Sequence, residues 1–438
     1  MTDRRISDTK KWLDQRYSRK VDGEYYAHQP IYGYDSSLSE PNAILRIART
    51  YHLLKLIHGL QFTSFLDVGG GEGYISGLIK RVHTVDPVSS DLSSEACQRA
   101  RELFGVYSVS SDSARLPFFD HSFDLVLCSE VIEHLPEPVL AISELVRIAR
   151  KYVLITTSEF CSLGEYERAA RLCLLDYDYP HAEKNWFTKG DFSALLGENL
   201  LFHSQMDNLL GHNVEYFAQA KLTRLQIEKA LEVMTRTTAL DSLHDGVIVL
   251  DIRDPQLNSN EIHRMYSSFP IDNEYFDLLL NPASISEYSL RDAEKPLADL
   301  VSKLMCLACG GECVLDGAQI VCKACHHKYN IENGVPLMLV DPSLPRMIMH
   351  TEQGVVQLLS LGDPDKAAQV KKTMARLHSP RPVCTTPRQR AFARVFLRAY
   401  WFIMRTESFS DRAMRVLAKI RRKNNKDYSK IEARLFSE

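Results

Sequence analysis

Short apolar runs recur with helical stretches between them, and this alternation is what most restricts how the chain can fold. The runs occupy residues 65–68, 82–85, 105–109, 125–128 and 152–156. Strands of that length separated by amphipathic helices build parallel βαβ units. Val139, Ile142, Leu145, Val146 and Ile148 give the fourth crossover helix its apolar face. Residues 200–204 and 247–252 supply two late strands, so the expectation is an α/β sheet of seven strands that closes near Arg253. A helical pattern of Ile44, Ile47, Ala48, Tyr51, Leu54 and Ile57 precedes the first strand.

The chain has 438 residues, about three typical domains, and its 45% hydrophobic and 25% charged residues exclude a disordered, collagenous or coiled-coil molecule. No apolar run approaches the roughly 18 residues of a membrane span, and the charged start lacks an apolar stretch after it, so a soluble, unexported, cytoplasmic protein is expected. The expected organisation is an N-terminal lid or cap over 1–44, the α/β domain over 45–253, a connecting segment over 254–300, a cysteine-rich domain over 301–342 and a helical basic tail over 343–438. The net charge of −3 hides an asymmetry: residues 385–438 hold 14 Lys and Arg against 5 Asp and Glu, a basic tail on an acidic body.

The first strand runs into Asp67-Val-Gly69-Gly70-Gly71-Glu72-Gly73, and a helix opens at Tyr74. Such a glycine turn lets a ligand approach backbone N–H groups, but on its own it fits a structural turn or a nicotinamide site as well. The acids that follow narrow the choice. Asp86 is read as closing the second strand, where a carboxylate can accept both ribose hydroxyls. Asp112 closes the third, placed to meet an adenine amino group. Three acids at successive strand ends line the crevice where open parallel sheets bind ligands.

With these residues the chain resembles the class I S-adenosylmethionine-dependent methyltransferases. The resemblance rests on DVGGGEG (67–73), VDP (85–87), DSARLPFFDHSFDLVLCSEVIEHL (112–135) and YVLITT (152–157), and covers roughly 45–253. It implies a Rossmann-like seven-stranded methyltransferase sheet. It also implies that Asp67, Gly69, Gly70, Gly71 and Gly73 surround the methionine moiety, Asp86 the ribose, and Asp112 with Ser113 the adenine. Cys128, Ser129 and Glu130 would form the site floor.

Ser129-Glu130-Val-Ile-Glu133-His134 places two carboxylates and an imidazole at helical spacing beside that crevice. Glu130, Glu133 and His134 could deprotonate an acceptor, hold a divalent metal, or simply cap a helix and orient the loop. The E-x-x-E-H pattern is similar to that of ubiquinone-pathway O-methyltransferases and small-RNA 2′-O-methyltransferases. The latter resemblance makes His181 the candidate fourth metal ligand.

Of ten cysteines, five lie between 306 and 325. Cys306-x-x-Cys309 and Cys322-x-x-Cys325, twelve residues apart, are paired knuckles that suit a structural zinc, with a redox dithiol as the alternative. Cys313 falls outside that spacing. Residues 304–339 also resemble the small zinc-ribbon activator subunit of tRNA, rRNA and translation-factor methyltransferases, through the knuckles, Tyr329-x-Ile331 and Gly334-Val-Pro-Leu-Met338. This implies a built-in stabiliser. The floor here is Cys-Ser-Glu-Val instead of an Asn-Pro-Pro-Tyr type, so those partners' substrates do not carry over.

Two further segments have open readings. The stretch 24–34, with Tyr26, His28 and Tyr32, can cover a substrate or merely pack. The tail can pack on the acidic body, lie on a membrane or contact RNA. The expected function is methyl transfer to oxygen or nitrogen of a small molecule, sugar or lipid-linked intermediate. An RNA methyltransferase and a silent methyltransferase-like scaffold are the alternatives.

Overall fold

The computed structural model describes residues 2–33, 38, 43–159, 185–207, 244–252, 261–262, 264–265, 277–279, 297–339 and 346–377. Contacts divide the chain into two compact units. The first is made of Met1–Glu167, Leu175–Gln205 and His244–Pro382, and nearly all described residues lie in it. The second gathers Arg168–Leu174, Met206–Leu243 and Val383–Glu438.

Helix α1 (Thr2–Tyr17) leads into a two-stranded hairpin, β1 (Lys20–Val21) and β2 (Glu24–Tyr25), and α2 (Ala43–Ile57) precedes the main sheet. The α/β part then reads β3 (Phe65–Val68), α3 (Tyr74–His83), β4 (Val88–Asp91), α4 (Ser94–Phe104), β5 (Tyr107–Ser111), β6 (Phe123–Ser129), α5 (Pro138–Ile148), β7 (Ala149–Glu159), α6 (Lys189–Leu196), β8 (Leu200–Asp207) and β9 (His244–Ile252). After α7 (Leu297–Val301) come β10 (Cys313–Asp316), β11 (Gln319–Cys322), β12 (Lys328–Glu332) and β13 (Val335–Met338). Two helices follow, α8 (Glu352–Ser360) and α9 (Pro364–Leu377).

The second strand differs from expectation. Residues 82–83 end α3, continuing the helical series of Leu78 and Ile79, and β4 begins six residues later than the apolar run suggests. Four residues with one hydrophobic side chain form β4 because strands flank it on both sides and bury it fully. Ser93 then caps α4, its hydroxyl accepting from the Ala96 N–H at 3.1 Å, and Gly105 ends the helix at φ 55°.

All the large strands share one sheet in the order β10-β11-β12-β13-β5-β4-β3-β6-β7-β9-β8. β5, β4, β3, β6 and β7 run parallel, β9 is antiparallel to β7, and β8 lies beyond β9, completing the seven strands expected. The cysteine-rich segment extends this sheet: β13 pairs in parallel with β5, Leu337 opposite Ser110 and Met338 opposite Ser111. The Gly334–Met338 match to activator subunits is therefore the joining strand itself.

One face of the sheet carries Leu66, Val68, Val126, Cys128, Val153 and Ile155 into a core shared with Val139, Ile142 and Leu145 of α5. Leu304, Leu307, Tyr329 and Met338 of the cysteine-rich segment join the same core, as do Val355 and Leu359 of α8 and Val370 and Met374 of α9. Residues 352–377, expected as part of a basic tail, are thus core elements. Residues 378–438, with the basic cluster, lie outside the described residues. No helix among the described residues is long and apolar enough to cross a membrane.

Candidate functional site

The carboxyl ends of β3, β4, β5 and β6 converge on the glycine turn. Gly69 and Gly73 have φ of 74° and 80°, the left-handed region that favours glycine, and a Cβ on Gly69 would lie 2.2 Å from Val131 Cγ2. The turn after β3 and the turn after β6 therefore touch, which places Asp67 and Glu130 on one crevice. The Gly69 and Gly70 N–H groups both donate to the Ser90 carbonyl, at 2.7 and 3.1 Å, tying the turn to β4.

Asp67 is buried, accepts from the Ser76 hydroxyl at 3.0 Å, and is pushed up to about 7 by burial. The acid at the end of β4 is Asp91, which accepts from the Gly71 N–H at 3.0 Å and the Ser93 N–H at 2.8 Å. Asp86 is exposed in the loop between α3 and β4, at the amino end of that strand. The expectation that Asp86 closes the second strand is corrected: the strand starts beyond Asp86 and ends at Asp91. Asp112 follows β5, accepts from the Ala114 N–H at 3.0 Å, and its carboxyl is raised by burial. Ser113 beside it is half-buried.

At β6, Cys128 is fully buried in the core cluster, so its thiol is a packing group and not part of an open floor. Ser129 shares a 2.8 Å hydrogen bond with the Thr156 hydroxyl of β7. Glu130 has φ 57°, an uncommon conformation for a non-glycine residue. Its Oε2 pairs with Arg49 Nη2 of α2 at 3.3 Å, while Oε1 is buried without a hydrogen-bond partner.

The helical face expected for Glu130, Glu133 and His134 does not form, because Ile132–His134 is a single 3₁₀ turn beginning after Glu130. Glu133 points inward and accepts from Thr157 Oγ1 at 3.0 Å; burial, and then Glu130, raise its carboxyl well above the usual range. His134 Nε2 lies 3.8 Å from Glu133 Oε1. Asn185 pins the turn, its side chain donating to the carbonyls of Ile132, Glu133 and Leu135. Among the described residues these three groups do not gather as metal ligands, and His181 lies outside them.

The N-terminal segment lies over the glycine turn. The His28 and Gln29 N–H groups donate to Glu72 Oε2 at 3.0 and 3.1 Å, and Arg99 pairs with the fully buried Glu72. Arg99 also donates to the carbonyls of Tyr17 and Tyr26 at 3.1 and 3.3 Å. Of the expected covering residues, His28 makes this contact through its backbone, while Tyr26 and Tyr32 lie in the same segment. Sequence reasoning missed Asp91, Arg49 and Glu72. The N-cap serine two residues after Asp91 was the available signal for the first.

The four knuckle cysteines converge. Their Sγ atoms all lie within 4.8 Å of one another, with Cys306–Cys325 at 3.7 Å and Cys309–Cys322 at 3.5 Å. Zinc–sulfur bonds of about 2.3 Å in a tetrahedron separate sulfurs by about 3.8 Å, so this cage fits zinc. Tyr329 Oη sits 3.3 Å from Cys306 Sγ and accepts from the Leu307 N–H at 2.8 Å, which explains the Tyr-x-Ile signature. Cys313 is a residue of β10, outside the set of four.

Residues 66–155, from β3 to β7, match the family model described as a methyltransferase domain. This segment is similar to a methyltransferase domain. An uncharacterized methyltransferase of Schizosaccharomyces pombe is 30% identical over 166 residues, 34% of this chain and 58% of the relative. One from a Mycobacterium species is 32% identical over 105 residues, 23% of this chain and 40% of the relative. The chain thus spans about half the length of the curated relatives it matches. Among solved structures, the magnesium protoporphyrin IX methyltransferase of Synechocystis with bound S-adenosylhomocysteine aligns at TM-score 0.37 and 15% identity, over 57% of this chain and 99% of that one. A complex of the Haloferax volcanii Trm112 methyltransferase activator with a putative methyltransferase aligns at TM-score 0.33 and 14% identity, over 47% of this chain and 89% of that one.

Proposed function

We propose that this protein transfers the methyl group of S-adenosylmethionine to an oxygen or nitrogen of a small molecule, sugar or lipid-linked intermediate. The observation that carries the reading is the set of three acids, Asp67, Asp91 and Asp112, at successive strand ends around a glycine turn, inside the segment that matches the methyltransferase family model. Asp67 and the turn would hold the amino-acid end, Asp91 the ribose, and Asp112 with Ser113 the adenine. Bound there, the cofactor supplies an electrophilic methyl group on a sulfonium.

In-line displacement needs little from the protein beyond contact and alignment of donor and acceptor. A hydroxyl or amine acceptor must also lose a proton, and Glu130 is the group suited to take it. Its Oε1 is an unpaired acceptor beside the glycine turn, while Arg49 fixes the other oxygen. Glu133 is buried and accepts from Thr157, its carboxyl raised well above the usual range by burial and then by Glu130, and it positions the turn that carries His134. The bound cofactor would supply the methyl group, and Glu130 would take the proton that the acceptor loses. The four thiolates would fill the coordination sphere of a zinc, so that site is structural.

Calorimetric titration of the zinc-loaded chain with S-adenosylmethionine and S-adenosylhomocysteine tests the reading. Micromolar binding is expected, and a folded, zinc-loaded protein that binds neither would leave a methyltransferase-like scaffold.

A further inference from the structure

A pocket of about 330 Å³ opens where the cysteine-rich segment joins the sheet. Its walls are the last turns of α4, the start of β5, helix α7 and the turn between β12 and β13. Tyr107 and Ser108 begin β5, so the pocket stands at the amino ends of the strands, whereas the crevice of Asp67, Asp91 and Asp112 stands at their carboxyl ends. Val106, Leu300 and the half-buried Leu297 give it apolar lining. The walls are clamped together. Gln98 donates to Glu102 Oε1 at 2.7 Å and accepts from the Asn333 side-chain amide at 2.9 Å, and Tyr107 donates to Asp299 of α7 at 3.2 Å. Gly334 has φ 75°, and a Cβ there would run into the Arg101 guanidinium, which lies against the turn and donates to the Asn333 carbonyl at 3.3 Å. Arg101 is half-buried, and among the described residues it has this carbonyl for a partner and no carboxylate within ion-pair distance. Burial pulls its guanidinium below the ordinary arginine value, and Glu102 pulls it part of the way back. A cation drawn out of water is normally paired. The nearby end of α4, which would repel an anion, is itself neutralised, because Lys80 donates to the carbonyls of Phe104 and Gly105 at 3.3 and 3.1 Å.

We propose that this seam pocket binds a monocarboxylate with a flat apolar body, the carboxylate on Arg101 and the body against Val106, Leu297 and Leu300. A guanidinium fork matches a carboxylate in shape as well as in charge. Arg101 is the one cation among the lining residues, and Glu102 and Asp299 stand beside it, so a single negative charge is favoured over a dianionic phosphate. The volume lies at the lower end of small-molecule sites, which run from about 300 to 1,000 Å³. An occupant touches α4 and β5 on one side and α7 and the Asn333–Gly334 turn on the other, so it fastens the cysteine-rich segment to the sheet. The pocket shares no residue with the crevice at the carboxyl ends of the strands, and the inference stands whether or not a cofactor binds there.

The test uses three probes of one shape, naphthoate, its neutral carboxamide and naphthyl phosphate, titrated onto the full zinc-loaded chain by saturation-transfer NMR. Naphthoate should bind with a dissociation constant of about a millimolar or tighter, and about tenfold or more tighter than either of the other two. Arg101→Gln should bring naphthoate down to the level of the carboxamide, and Leu297→Trp, which fills the pocket, should weaken both. Equal binding of the carboxamide would leave an apolar hollow with no anion site, tighter binding of the phosphate would overturn the monocarboxylate assignment, and no binding of naphthoate would overturn the site altogether. So would naphthoate affinity that survives Arg101→Gln. A measurement on the unaltered protein covers the case in which a variant fails to fold: naphthoate should protect the amides of residues 101–108 and 333–335 from hydrogen exchange and leave those of 69–74 unaffected. Protection of 69–74 without protection of the seam places the probe elsewhere and overturns the proposal.

Discussion

A carboxyl group cut off from water keeps its proton, and Asp67 shows what the molecule gives up to have one beneath a glycine turn. Burial pushes it up to about 7, whereas in an unfolded chain an aspartate titrates near 4. Between those two values the folded state holds a proton that the unfolded state has released, so stability falls as pH rises through that window and levels off above it, by on the order of a few kcal/mol. Asp67→Asn keeps an acceptor for Ser76 and removes the charge. The variant should lose this decline in urea unfolding at pH 5 and pH 8, be more stable than the parent at pH 8, and no longer bind S-adenosylhomocysteine. Asp91→Ala should abolish that binding, and Asp86→Ala, altering an exposed loop, should leave it intact; the reverse pattern in calorimetry would restore Asp86 to the ribose. For the base, Glu130→Gln should lower kcat about a hundredfold or more with S-adenosylhomocysteine affinity unchanged, since only a proton transfer is removed.

Elements expose the limits of reading periodicity. β3, β6 and β7 were legible because a parallel strand buried on both faces reads as a continuous apolar run. β4 was not: Val88-Ser-Ser-Asp91 has one hydrophobic residue, and its serines serve neighbours, Ser90 sharing a 2.6 Å hydrogen bond with Ser111 of β5. The apolar Val82 nearby belonged to α3, and that one error moved the acid at the strand end by five positions. The turn after β6 failed differently. Helical spacing cannot show that Glu130 adopts φ 57° or that Asn185, more than fifty residues away, holds the following carbonyls. The cysteine knuckles were fully legible because their ligand spacing is itself the constraint. Replacing Cys306 and Cys309 by Ser should release zinc and lower the melting temperature by about 10 °C, the loss extending to amide protection in β5, because β13 and β5 share a ladder. A lower melting temperature with β5 still protected would confine the knuckles' role to their own hairpins.

At the level of the whole molecule, the glycine turn, the knuckles and the last two described helices lean on one core and one sheet, so changes far from the crevice should act as stability changes. Leu359 of α8 is buried with the face of the sheet that also carries Val68 and Cys128. Leu359→Ala should cost about 3 kcal/mol in urea unfolding without altering S-adenosylhomocysteine affinity once folded. None of this was readable beforehand, since residues 352–377 show only weak periodicity and which helix they cover is decided by the fold. The sheet also has a temporal side. Its central edge strand, β5, ends at Ser111, and the strand that covers it begins at Val335. A ribosome adding about 5 to 20 residues per second needs roughly 10 to 45 seconds to travel between them. For that interval the nascent chain presents an open row of backbone donors and acceptors, and zinc shortage would lengthen it, so the yield of folded protein in cells should depend on how quickly the metal reaches the newborn knuckles.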